Sequence, residues 1–122
     1  MSFAASDGVD FVLHTAINGL STRQQVIADN IANVDTPGFR ARSVEFESAL
    51  ERAIERGEAR ATGPGALRAE TDATGTPVGA NDNNVDLRKE SIAAIQTQYQ
   101  YQVMGRAISD RQARLSVMGG GA

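Results

Sequence analysis

The sequence contains no cysteine, which excludes disulfides, thiolate nucleophiles and cysteine-ligated zinc while leaving the redox compartment open. It has no tryptophan and only 5% aromatic residues, and many of the residues behind its 41% hydrophobic content are alanine. So few large side chains make a thin core for 122 residues. Either the isolated chain is marginally stable or neighbouring chains complete its apolar surface.

Long hydrophobic runs are missing as well. Near the N-terminus the longest is Phe11 to Leu13, too short for the apolar segment of a signal peptide, and the first ten residues carry Asp7 and Asp10 without a cation. Nothing approaches a membrane span, so direct membrane insertion is not expected. If the chain leaves the cytoplasm, it does so by a route that reads no cleaved signal of this kind. Nor is there an excess of positive charge. The formal net charge is -3 with both signs interspersed, which argues against a nucleic-acid partner, because phosphate binding needs a concentrated positive field.

Catalytic chemistry has little to work with. His14 is the only histidine, and the sequence has no Gly-x-Ser-x-Gly, Gly-x-x-x-x-Gly-Lys or Gly-x-Gly-x-x-Gly. The fifteen carboxylates are scattered rather than grouped under apolar cover that would split their pKa values. Asp82, Asn84 and Asp86 have the alternate spacing that opens a calcium loop, but its glycine and final glutamate positions hold Leu87 and Ala93. Neither an enzyme, a cofactor nor a metal site is expected.

What the sequence does contain is two patterned ends around an unpatterned middle. Leu13, Ile17, Leu20, Ile27, Ile31 and Val34 fall on alternating steps of four and three, with Gln24 in the one polar slot. That seven-residue repeat predicts a helix over 9–33 packed lengthwise on another helix. Gly19 lies inside it and weakens it by about 1 kcal/mol relative to alanine. Pro37-Gly38 fits the two central positions of a type II turn, which ends the helix. A shorter helix is expected over 43–56, with Ser43 as N-cap and Phe46, Leu50, Ala53 and Ile54 on its apolar face. From 58 to 83 the pattern disappears into Gly- and Pro-containing sequence, read as a flexible loop with at most a short strand near 66–70.

Pattern returns over 84–122, where Asp86 can cap a final helix and Glu90 adds negative charge near its start. Ile92, Ile95, Tyr99 and Val103 form one stripe; Tyr101, Met104, Ile108, Leu115 and Met118 form a second at heptad spacing, with Arg111 as its polar slot. The two stripes read as adjoining sides of the helix. They are either one wide core face or two surfaces, one for the N-terminal helix and one for another molecule. The fold expected is all-α: one structural domain of long N- and C-terminal helices paired like a coiled coil, a short second helix and an irregular middle, with termini disordered in the free monomer.

Asp29-Asn30-Ile31-Ala32-Asn33-Val34-Asp35-Thr36-Pro37-Gly38-Phe39 resembles the N-terminal signature of the bacterial flagellar rod and hook proteins. Asn30, Asn33, Thr36, Pro37, Gly38 and Phe39 match its Asn-x-x-Asn-x-x-Thr-Pro-Gly-aromatic run, and Val85-Asp86 is similar to the start of the family's last helix. The short length, the single Gly-rich insert and the Gln98 to Gln102 run favour the proximal rod proteins within it. The resemblance implies a structural subunit of the basal-body rod, exported unfolded by the flagellar type III apparatus and polymerised as a helical tube across the periplasm. Its implied partners are further copies, the other rod proteins, FliE, and the region of the MS ring and export gate. From the residue pattern alone, a helical adaptor that binds one partner helix stays open beside it, as does, less readily, a small hydrolase using His14.

Overall fold

A computed structural model describes residues 3–55 and 70–120, with side chains for 8–55 and 71–117. In chain order it contains helix α1 (Phe3–Ala32), strand β1 (Arg42–Glu45), helix α2 (Glu47–Glu55), strand β2 (Glu70–Ala73) and helix α3 (Leu87–Gly120). The described chain is thus mostly helical, as the periodicity predicts, with a small two-stranded sheet added.

The two long helices run antiparallel. Asn30 near the end of α1 bonds Glu90 at the start of α3, while Asp10 near the start of α1 pairs with Arg111 far along α3 at 2.7 Å. The more buried face of α3 follows helical spacing through Glu90, Ala94, Thr97, Met104, Ile108 and Arg111. Its second half holds Met104 and Ile108 of the expected heptad stripe, both half-buried, while Tyr101 and Leu115 are 37% and 42% exposed. Its first half continues in small and polar residues, with Glu90 exposed to only 5% and Thr97 to 1%. Polar side chains survive there because each has a partner: Thr97 donates to the Ala93 carbonyl at 2.7 Å, and Glu90 accepts from Asn30.

On α1 the buried face is wider than one stripe, because α3 covers one side and β1 with α2 covers the next. Leu20 and Ile27 from the heptad are buried, and so are Phe11, Thr15 and Ala16, which lie off it. Ala16, Leu20, Val44 and Phe46 form the core cluster, with Val26 and Met104 packed against it. Phe46 reaches this cluster across Gly19. A Cβ built on Gly19 would stand 2.4 Å from the ring, so the glycine makes room for the aromatic ring in the middle of a helix.

Several boundaries differ from the sequence expectation. α1 begins at Phe3 rather than near residue 9. Ser43 does not cap a helix; it lies in β1, pairing opposite Asp72, and α2 starts only at Glu47. The alternation Ser43, Val44, Glu45, Phe46 has period two, and its inward members Val44 and Phe46 are buried. Within the stretch read as a loop, 70–73 form β2, antiparallel to β1 from Arg42↔Ala73 to Glu45↔Glu70. Positions 66–69 of the short strand expected there lie outside the described residues. Ile54, expected on the apolar face of α2, is 47% exposed.

Candidate functional site

The signature residues occupy the closed end of the α1–α3 hairpin, where two turns dock on each other. In the first, the Phe39 N–H donates to the Thr36 carbonyl at 3.2 Å, and Gly38 has φ +77°. This is the type II turn that Pro37-Gly38 predicts. The second turn spans 79–84, closed by Gly79 N–H to the Asn83 carbonyl at 2.8 Å, with Asp82 at φ 63°, a left-handed conformation that aspartate tolerates better than most residues. Gly38 N–H donates to the Asn81 carbonyl and Asn84 N–H to the Phe39 carbonyl, which joins the turns backbone to backbone.

Asparagine side chains finish the connection, since each amide can donate and accept at once. Asn30, 1% exposed, donates to the Arg42 carbonyl at 2.7 Å and accepts from the Arg42 N–H at 3.1 Å, while also reaching Glu90. It therefore ties α1 to β1 and α3 together. Asn33 donates to the Asp29 carbonyl and accepts from the Thr36 hydroxyl at 3.0 Å, shaping the exit from α1. Buried Asn83 donates to the carbonyls of Asn33 and Thr36, both at 2.8 Å, and accepts from Val85 N–H. Asn84 accepts from the Ala41 N–H and donates to the Thr76 carbonyl. Asp86 accepts from the Lys89 N–H at 3.2 Å, the N-cap role expected of it. The Asn84 and Asp86 oxygens thus serve separate backbone donors.

Outside this clip, Arg23 locks β1 and the start of α2 onto α1. Its guanidinium donates to the Val44 carbonyl at 2.8 Å, contacts Glu47 at 2.6 Å, and stands 5.0 Å from the Phe46 ring centroid. Burial pushes the Glu47 carboxyl up, but hydrogen bonds from Arg23 and from the Glu47 and Phe46 backbone, with the Arg23 charge, outweigh it. The net effect holds Glu47 below its ordinary value.

The packing residues named from sequence divide into two groups. Leu20 and Ile27 are buried, and Leu13, Ile17, Ile31, Val34, Met104 and Ile108 are half-buried along the helix pair; Leu115, near its open end, is 42% exposed. Ile92, Ile95, Tyr99 and Val103 are not brought into the pair at all, being 52%, 69%, 69% and 45% exposed. At about 100° per residue these four lie roughly opposite the α1-facing seam. The stripes are therefore back to back, not adjoining, and a single wide core face is excluded.

Sequence reasoning missed Asn83, Asn84, Arg23 and the seam role of Glu90 and Thr97. The one available signal was the concentration of asparagine at 81, 83 and 84, residues that serve turns through their own side chains. His14 is exposed. No helix among the described residues is long and apolar enough to cross a membrane.

A family model described as flagella basal body rod protein matches residues 12–40, which run from the middle of α1 through the Thr36–Phe39 turn. The flagellar basal body rod protein FlgB of Bacillus subtilis (strain 168) is 34% identical over 100 residues, covering 75% of this chain and 78% of that protein. The chain belongs to the flagellar basal-body rod protein family. Other rod-protein relatives match over shorter spans: FlgB of Yersinia enterocolitica is 44% identical over 57 residues, 47% of this chain and 42% of its own length. FlgB of Borrelia hermsii is 63% identical over 41 residues, 34% of this chain and 30% of its own length. In those two alignments the chain spans less than half of the relative. In rod-protein terms, Asn30, Asn33, Thr36, Pro37, Gly38 and Phe39 are the parts of one hydrogen-bonded clip that closes the helix pair, and Val85-Asp86 opens α3 from it.

Proposed function

We propose that this chain is a structural subunit of the flagellar basal-body rod, of the proximal FlgB type, without catalytic activity. One observation carries the assembly role: α3 bears an apolar stripe, Ile92 to Val103, on the side facing away from its own α1. An isolated soluble chain gains nothing from a line of exposed isoleucine and tyrosine, whereas a subunit in a polymer buries it against a neighbour. The clip supports the same role, because it fixes the direction in which the helix pair leaves the turn end.

In this proposal the paired helices pack in the wall of a helical tube crossing the periplasm. The partners are further copies, other rod proteins, FliE, and the MS ring and export gate. Export through the flagellar type III apparatus without a cleaved signal peptide belongs to the same proposal.

Complementation of a strain lacking this gene tests it. Wild-type chain restores swimming and appears in purified basal bodies. Tyr99→Asp and Ile95→Asp change exposed positions, so the chain folds normally by circular dichroism yet fails to enter the rod. Leu20→Asp is no such test, since Leu20 is 3% exposed and its loss unfolds the chain. Normal swimming with both exposed aspartates would refute the assembly role of α3. A fixed one-to-one complex with a single soluble partner would instead favour an adaptor.

A further inference from the structure

The outer ridge of α3 and a groove elsewhere on the same chain match in both polarity and charge. The groove, about 410 Å³, lies between α1, α2 and α3, with Leu13, Leu20, Leu50 and Met104 among its apolar lining and Ile54 at its edge. Its α2 rim carries Glu51 and Glu55, one turn apart, neither in an ion pair among the described residues. The third rim carboxylate, Glu47, is held by Arg23.

The ridge has the opposite character. Its apolar stripe is flanked along the helix by Arg88 and Arg106, both exposed. The only carboxylate between them is Glu90, which faces inward and is buried. Tyr99, Val103 and Arg106 also border a shallow depression that would seat a protruding side chain. Ridge and groove cannot meet within one chain, because the ridge lies opposite the seam and Met104 of that seam already lines the groove from inside.

We propose that the α3 ridge of one copy docks into the α1–α2–α3 groove of a second copy, with Arg106 set toward Glu51 and Glu55. This rests on the assembly role proposed above and names the contact that carries it. Aliphatic ridge residues cover the groove floor and Ile54, while the cations reach carboxylates that no ion pair among the described residues engages. Because each copy uses different surfaces as donor and acceptor, the contact is heterologous. It propagates to a ring or a helix instead of closing as a two-fold dimer.

The absence of cysteine allows a clean test. Ile54→Cys and Tyr99→Cys place one thiol on each surface, and both positions are exposed. In basal bodies from cells whose only copy carries both changes, mild oxidation gives a ladder of dimers, trimers and higher species. When the two single variants are mixed as purified proteins, a 54–99 linked pair forms and growth stops there. Arg106→Glu or Glu51→Arg alone lowers cross-linking by about tenfold or more, and both changes in one chain restore it. No 54–99 product above that of a thiol placed at Ala113 overturns the proposal, and so does a double charge variant that stays as weak as the single ones. Capture of only a different protein by the Tyr99→Cys thiol excludes a second copy as the occupant. Swimming of the deletion strain with the wild-type gene is scored separately: rescue without the cross-link rejects this interface alone, whereas failed rescue rejects the rod role.

Discussion

The Phe46 ring rests directly on the backbone of Gly19, so close that a Cβ at residue 19 would lie 2.4 Å from Cδ1 and 2.5 Å from Cγ of the ring. In an exposed helix, alanine at this position would add about 1 kcal/mol of stability over glycine. Here the ring must move, and it is 5% exposed at the centre of the core cluster. Gly19→Ala is therefore expected to destabilise by about 1–3 kcal/mol, an overpacking cost, measured by urea unfolding. A second change, Phe46→Leu, should recover part of the loss, since the two positions are in contact and their effects do not add.

Asn30→Ala is expected to cost about 2–4 kcal/mol, because it strands the Arg42 N–H and carbonyl and the Glu90 carboxylate in a buried site. Asn30→Asp keeps the size but sets a second carboxylate beside Glu90. It should be worse than alanine, because the amide that donates to the Arg42 carbonyl and to Glu90 becomes an acceptor facing two acceptors. Denaturation midpoints of the two variants check this ordering.

Thr15 is 2% exposed and its hydroxyl has no partner among the described residues. Valine has nearly the same shape without the group that must be desolvated. Thr15→Val is expected to raise stability by about 1 kcal/mol, seen as a higher thermal midpoint with an unchanged helical spectrum.

Glu47 gives the fold an acid-side dependence whose sign follows from its lowered pKa. The unfolded carboxyl takes up its proton first as pH falls. The contribution is complete above the ordinary glutamate range and disappears as pH drops through the lower folded value. Because the side chain is 53% exposed, solvent screens the pair and the effect is small. Glu47→Gln should lower stability slightly at pH 7 and flatten its fall between pH 5 and pH 3, in urea titrations at low salt.

Features confined to a few neighbouring residues were legible in the sequence. The turn at Thr36 to Phe39 follows from proline fixing one φ and glycine accepting a positive one. The cap at Asp86 follows from a short carboxylate at a helix start, and the half-buried places of Met104 and Ile108 on α3 from heptad spacing. The first half of the α3 seam was not legible, because Glu90 and Thr97 carry no hydrophobic signal and are buried only where Asn30 or a backbone carbonyl receives them. β1 was read as the start of a helix because Ser43 with following glutamates imitates an N-cap. Its true partner, β2, lies more than twenty residues away.

The amino-acid sequence by itself determined two long helices, the turn that ends the first of them, and the family signature within that turn, all set by local backbone preference and side-chain period. Only the tertiary structure decided that Gly19 is a seat for Phe46, that Asn83 and Asn84 bind two turns into one clip while Asn30 ties α1 to β1 and α3, and that Ile92 to Val103 face away from α1. Those outcomes depend on which distant groups meet, and burial energy and hydrogen-bond satisfaction belong to the meeting rather than to either segment alone.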